Sequence, residues 1–150
     1  MALLLRSFTT NRLTAHNDLL HTYDSDCKVI LVDNCCTASI TNGIKDFVTL
    51  PRPTKTNVEG YNGMTEATKV GTIKWDIEND PGRMHTIILP YSYYAPAGKY
   101  KLLCPQHWAQ VANDHFPKPN GTWCATYSNC IVLHLAQGKY TQTIERENAM

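Results

Sequence analysis

No stretch of this sequence approaches the roughly eighteen apolar residues of a membrane-spanning helix, and no run of five or more Lys and Arg occurs in it. The first absence argues against a membrane partner. The second, with a formal net charge of +1, argues against nucleic acid as the main partner, because phosphate binding needs clustered cations. The six cysteines include no CxxC pair, and two of them, Cys35 and Cys36, are adjacent. Neither a zinc site with paired ligands nor a secreted disulfide framework is written in that spacing. The opening Met1-Ala2-Leu3-Leu4-Leu5-Arg6 has too short an apolar core for a secretory signal, so a reduced, intracellular and cytoplasmic setting is expected. Arg6 and Arg12, with no acidic residue before Asp18, give only a faint transit-peptide character. The sequon at Asn120-Gly121-Thr122 carries no weight without secretion. Internal repeats and low-complexity tracts are also missing, and 150 residues suit one domain with a modest core.

What the sequence does contain is a stretch around which the rest can be organised, residues 28–42. Val29, Ile30, Leu31 and Val32 are β-branched or aliphatic and too few for a lone helix, so they predict a buried strand. The strand runs into Asp33 and then the small polar turn Asn34-Cys35-Cys36-Thr37-Ala38-Ser39. An acid at that position either caps the strand end or is a placed catalytic carboxylate. The residues alone leave both readings open.

Upstream, residues 1–26 have loose apolar spacing and predict a frayed helix or irregular arm, with Asp24-Ser25-Asp26 as a turn. Downstream, Thr49-Leu50-Pro51-Arg52-Pro53-Thr54 is a proline-punctuated connector that cannot be a central strand. Gly60, Tyr61, Asn62 and Gly63 mark a tight bend. Ile73, Trp75 and Ile77 alternate with Thr72, Lys74 and Asp76, which predicts a strand with one wet face. The turn at 78–83 then returns the chain through residues 84–89 as a hairpin, in which His85 is read as solvated or hydrogen-bonded. Residues 90–98 read as an aromatic loop whose Tyr91, Tyr93 and Tyr94 either pack on the sheet or line a cleft. A short strand at 100–104 precedes Pro105, which suits the first turn of a helix to residue 112 with Trp108, Val111 and Ala112 on its inner stripe. The tail reads as β-structure ending in a hairpin around Gly138-Lys139.

The Asp33 stretch resembles the active-site turn of copia-type retrotransposon aspartic proteases, a hydrophobic strand followed by Asp-Ser/Thr-Gly-Ala-Ser and an Ile-Ser/Thr-Asn segment. Asp33 falls on the family's Asp; Asn34 stands for Ser/Thr, Cys35 for Gly and Cys36 for Ala, while Thr37, Ser39, Ile40, Thr41 and Asn42 keep the pattern. Residues 58–77 resemble the flap, and Tyr93-Tyr94-Ala95-Pro96 with Leu102-Leu103-Cys104-Pro105-Gln106 resembles the family's Tyr-x-Pro and Leu-Leu-Ser-Pro-Gln block. The likeness covers about residues 27–110, and residues 111–150 are similar in order and composition to the segment that follows the protease in such polyproteins.

The resemblance implies a mainly β, retropepsin-like small closed sheet over residues 27–112, with a short helix near 105–112. Residues 1–26 would be an N-terminal arm and residues 113–150 a C-terminal β extension. It implies a polypeptide substrate, no cofactor and no metal. Asp33 would be catalytic, Asn34, Cys35, Cys36 and Thr37 would shape the turn, and Gly60, Tyr61, Asn62 and Gly63 would belong to the flap. Two facing carboxylates must share one proton, so activity would require a homodimer contributing one Asp33 from each copy. The Asp-Asn-Cys triplet departs from the family. A Cβ at Cys35 would cost about 1 kcal/mol if that position has positive φ, and twice that at a symmetric interface. A catalytically inactive remnant that only dimerises or binds peptide is therefore the alternative to an active endopeptidase. A zinc or redox module built on Cys27, Cys35, Cys36, Cys124, Cys130 and His134 is a third reading, resting on the cysteines alone.

Overall fold

The computed structural model describes residues 3–7, 28–33, 35–60, 63–118, 120–135 and 138–145. The chain is mainly β with one short helix. The strands are β1 Leu3–Ser7, β2 Lys28–Val32, β3 Ile40–Thr41, β4 Arg52–Gly60, β5 Gly63–Glu78, β6 Met84–Tyr94, β7 Lys101–Leu103, β8 Trp123–Thr126, β9 Cys130–Leu135 and β10 Tyr140–Glu145. The helix α1 is Pro105–Val111, and a 3-10 turn occupies Ile44–Asp46.

A mixed sheet in the order β1-β2-β7-β3-β6-β5-β4 curls until β1 meets β5 at Ser7↔Ile77, so six strands close into a ring with β4 outside it. Closure leaves few free edges. β4 lies at the remaining edge, where Pro53 removes a ladder donor without harm, and a register shift falls between Pro53 and Thr56. Residues 52–54 are thus strand rather than connector, but not central strand. A second sheet, β10-β9-β8, is antiparallel throughout.

One apolar cluster joins the two sheets. Ile30 and Val32 of β2, Ile73, Trp75 and Ile77 of β5, Ile87 and Leu89 of β6, and Leu103 of β7 pack with Trp108 of α1 and with Leu133, Leu135 and Ile144 of the second sheet. The period-2 reading of β5 holds, since its Ile73, Trp75 and Ile77 are all buried. The second sheet is docked further by Asp80, whose carboxylate accepts from Thr143 N–H at 2.6 Å and Thr143 Oγ–H at 2.8 Å, and whose N–H donates to Thr141 O at 3.0 Å.

Four local expectations are corrected. Residues 3–7 are a strand rather than a frayed helix or loose arm, because β2 supplies an antiparallel ladder from Leu3↔Val32 to Ser7↔Lys28. Pro90 to Tyr94 continue β6 instead of forming a loop: Pro90 and Tyr91 sit opposite Thr72 in a register shift, so Pro90 withdraws no ladder hydrogen bond. Tyr91 adopts φ 58 in that bulge and is exposed, while Tyr94 packs edge-on against Phe47 at 6.2 Å. In α1 the buried residues are Pro105, His107 and Trp108, whereas Val111 and the C-cap Ala112 are exposed, because the first turn packs on β6 and the core while the last faces outward. His85 is half-buried rather than solvated, and its ring is held mainly by stacking. Its ring stacks on Tyr140 at 4.2 Å and faces Trp108 at 6.0 Å, and among the described residues no group lies within ordinary hydrogen-bond geometry of its buried ring nitrogens. That burial holds its pKa below the usual histidine value, against a smaller opposing effect of the Arg83 backbone.

Candidate active site

β2 and β3 flank the Asp33 turn but do not pair with each other. β7 enters between them, parallel to β2 through Ile30↔Lys101, Leu31↔Leu102 and Val32↔Leu103, and antiparallel to β3 through Ile40↔Leu102. The Asp33 N–H extends the first pairing by donating to Leu103 O at 3.0 Å. The strand end is therefore fixed at the residue where the carboxylate leaves it. Asp33 is half-buried, and its Oδ1 accepts the Cys35 N–H at 2.9 Å. That bond orients the carboxylate by its own turn. Cys35 is not among the described residues with positive φ, which are Tyr91, Asn113, Gly82 and Gly138, so its Cβ carries no left-handed strain.

Beneath the turn lies a set of polar groups that are buried and paired. Ser39 is fully buried; its N–H donates to His107 Nδ1 at 3.1 Å and its Oγ accepts the Cys104 N–H at 3.2 Å. Because Nδ1 accepts, the imidazole proton sits on Nε2 and is donated to Pro90 O at 2.8 Å. The neutral ring thus ties the turn to α1 and to the β6 bulge. Burial pushes the His107 pKa down, opposed in part by the Pro90 carbonyl. On the other side of β7, Lys101 is 5% exposed and forms an ion pair with Asp46 at 2.6 Å. Asp46 also accepts from Trp75 Nε1–H at 3.0 Å and from the Thr41 hydroxyl.

The two thiols of the site are coupled. Cys36 Sγ–H donates to Asp33 O at 3.0 Å, and Cys104 Sγ–H to Cys36 O at 2.7 Å. Cys104 caps α1, its sulfur accepting the His107 N–H at 3.3 Å. Hydrogen bonding from the Cys36 thiol, then from the His107 and Gln106 backbone, draws the Cys104 pKa down to about 6 despite burial. Cys36 is pushed far up by Cys104, by burial and by the Asp33 charge. The pair therefore gives up one proton readily and holds the second.

Of the expected site residues, Asp33, Cys35, Cys36 and Thr37 lie together on the turn, with Cys35 and Thr37 exposed. Asn34, Tyr61 and Asn62 lie outside the described residues. Gly60 and Gly63 pair across the β4–β5 hairpin. Among the described residues no three His, Cys, Asp or Glu side chains converge on a possible metal position. A cavity of about 310 Å³ opens elsewhere, at the base of that hairpin, lined by Leu50, Arg52, Thr72 and Tyr91 among others. None of its lining residues belongs to the Asp33 turn.

Sequence reasoning missed Ser39, His107, Asp46 and Lys101 as parts of the site. Ser39 and His107 are 68 residues apart, and no local spacing encodes such a pair. The usable signal was weaker: a polar residue between Pro105 and Trp108 in a first helical turn pressed against a strand. No family model, no curated protein and no solved structure matches the chain.

Proposed function

We propose that this chain is an aspartic-protease-like domain of copia-type retrotransposon descent, and that two copies form a polyprotein-processing endopeptidase with one Asp33 from each. The observation that carries the reading is the setting of Asp33. It leaves a buried strand whose backbone is clamped by the intervening β7, its Oδ1 is held by the Cys35 N–H, and its turn rests on a paired polar layer. A strand-end cap needs none of that support. Oδ2, which accepts from no described residue, would face the second carboxylate across a two-fold axis.

In such a pair the ionised carboxylate takes a proton from water while the water oxygen attacks the peptide carbonyl carbon. The protonated carboxyl hydrogen-bonds to the carbonyl oxygen, on which negative charge grows. Collapse of the tetrahedral intermediate, with proton transfer to nitrogen, breaks the C–N bond. The β4–β5 hairpin, with Gly60 and Gly63 at its tip, would close over an extended peptide. No cofactor or metal takes part, and a cytoplasmic compartment with reduced thiols suits the free cysteines.

A silent domain of the same shape, which only dimerises or binds peptide, is the second reading. What favours it is Cys35, exposed on the turn where a second copy must approach. The deciding experiment is cleavage of a mixed peptide library at mildly acidic and neutral pH by the native chain and by Asp33→Asn, with dimer fraction from sedimentation. Cleavage that depends on Asp33 and rises with dimer fraction supports the enzyme. A folded, dimeric sample with no Asp33-dependent cleavage leaves the silent domain.

A further inference from the structure

Cys36 and Cys104 are 68 residues apart in the chain, yet the fold brings the Cys104 sulfur to 2.7 Å from the Cys36 carbonyl oxygen. Cys104 is fully buried at the N-cap of α1, where its sulfur accepts a backbone N–H. Cys36 is half-buried, so the pair reaches solvent on one side only. Each thiol also has its own backbone anchor, Asp33 O for Cys36 and Cys36 O for Cys104. Packing alone asks for no such pairing, since a small hydrophobe would fill either position. None of the described cysteines is in a disulfide.

We propose that Cys36 and Cys104 are a peroxide-responsive dithiol site, converted by hydrogen peroxide into an intramolecular disulfide that bolts the Asp33 turn to the start of α1. The inference stands on the two thiols and does not depend on the catalytic reading.

The chemistry balances with peroxide as oxidant. The pair loses one proton easily, from Cys104, and Cys36 keeps the other. Peroxide reaches the half-buried Cys36, whose proton passes to the Cys104 thiolate as its sulfur attacks: an S–O bond forms, the O–O bond breaks and hydroxide leaves. Hydroxide takes the Cys104 proton and becomes water. The Cys104 thiolate then attacks the Cys36 sulfenic sulfur, forming S–S as the S–O bond breaks and a second hydroxide leaves. Cys36 and Cys104 are each oxidised by one electron and peroxide is reduced by two. Cys36 loses its bond to Asp33 O, so the turn that carries the carboxylate changes with redox state.

The experiment treats the whole purified chain with hydrogen peroxide and reads intact mass, thiol alkylation after unfolding, and fragmentation of linked peptides. Expected is a loss of two hydrogens and of two alkylatable thiols, with the bond placed between Cys36 and Cys104. The change should persist in Cys35→Ser and vanish in Cys36→Ser and in Cys104→Ser. Accumulation of oxygen adducts on Cys36 with Cys104 still alkylatable overturns the proposal, as does a bond placed at Cys35. The alkylation map of the unsubstituted chain decides the matter even where a serine variant fails to fold.

Discussion

Lys101→Met tests the idea that the short central strand is held by its ion pair as well as by its ladder. The lysine Nζ meets Asp46 Oδ2 at 2.6 Å and Oδ1 at 2.8 Å, with the two side chains 5% and 10% exposed. It also lies 5.8 Å from the centroid of the Trp75 ring. Methionine keeps most of the chain's length and packing but removes the charge. Asp46 is then a buried carboxylate whose donors among the described residues are neutral, Trp75 Nε1–H and the Thr41 hydroxyl. Breaking a buried pair in this way costs about 3–5 kcal/mol, a large part of the roughly 5–15 kcal/mol that stabilises a domain. Asp46→Asn added to Lys101→Met removes the stranded charge while keeping an oxygen for both donors. The double variant should therefore be more stable than Lys101→Met alone, with about 1–3 kcal/mol of coupling. Urea unfolding followed by tryptophan fluorescence and circular dichroism measures each step. A loss under about 1 kcal/mol for Lys101→Met, the size of an exposed pair, refutes the argument. So does a double variant no more stable than the single.

Three further outcomes are expected. Acid should weaken the fold through His85 and His107: both have pKa values lowered by burial, so the unfolded chain binds more protons as pH falls through about 6.5. Their stabilisation is complete above that pH and is lost on descent toward their folded values, and His85→Phe should flatten part of the acid limb in a pH series of urea midpoints. Asp80→Ala removes both acceptors for Thr143 and should cost about 1–2 kcal/mol, with hydrogen exchange quickening in β10 before the closed sheet. Cys35→Gly should destabilise the chain by up to about 1 kcal/mol, since no positive φ is relieved; a stabilised variant in thermal unfolding would contradict the turn geometry.

The sequence was informative where structure is local and periodic. The alternation of Ile73, Trp75 and Ile77 marks the buried face of β5, the run at 29–32 marks β2, and Pro105 marks the start of α1. It was uninformative where a register shift or a distant partner decides. Pro90 looks like a strand breaker until the bulge against Thr72 makes its missing N–H irrelevant. Residues 3–7 have no helical or strand signature strong enough to outweigh their polar neighbours, and β2 supplies the ladder that orders them. The place of Asp33 at the end of β2 was legible because it ends an apolar run. Ser39, His107, Asp46 and Lys101 were not, since a polar side chain that pairs across the chain leaves no period in it.

Those unread residues explain why so short a strand can organise the site. β7 has three residues, too few for its ladder alone to hold it between two neighbours that run in opposite directions. Two of its positions, and the one after it, carry ties beyond that ladder: Lys101 to Asp46, Leu103 to the Asp33 N–H, and Cys104 to Ser39 and Cys36. Ser39 and Cys36 belong to the turn itself, so turn, strand and helix start share one polar layer. A carboxylate mounted on that layer cannot shift without breaking bonds in buried surroundings, where an unmade hydrogen bond costs about 1–3 kcal/mol. Rigidity of that kind is what the proposed reaction between two facing carboxylates would require, because a shared proton needs the two held at hydrogen-bond distance. It is also what makes the Cys36–Cys104 contact consequential: a covalent bond at that point alters the one layer on which the Asp33 turn rests.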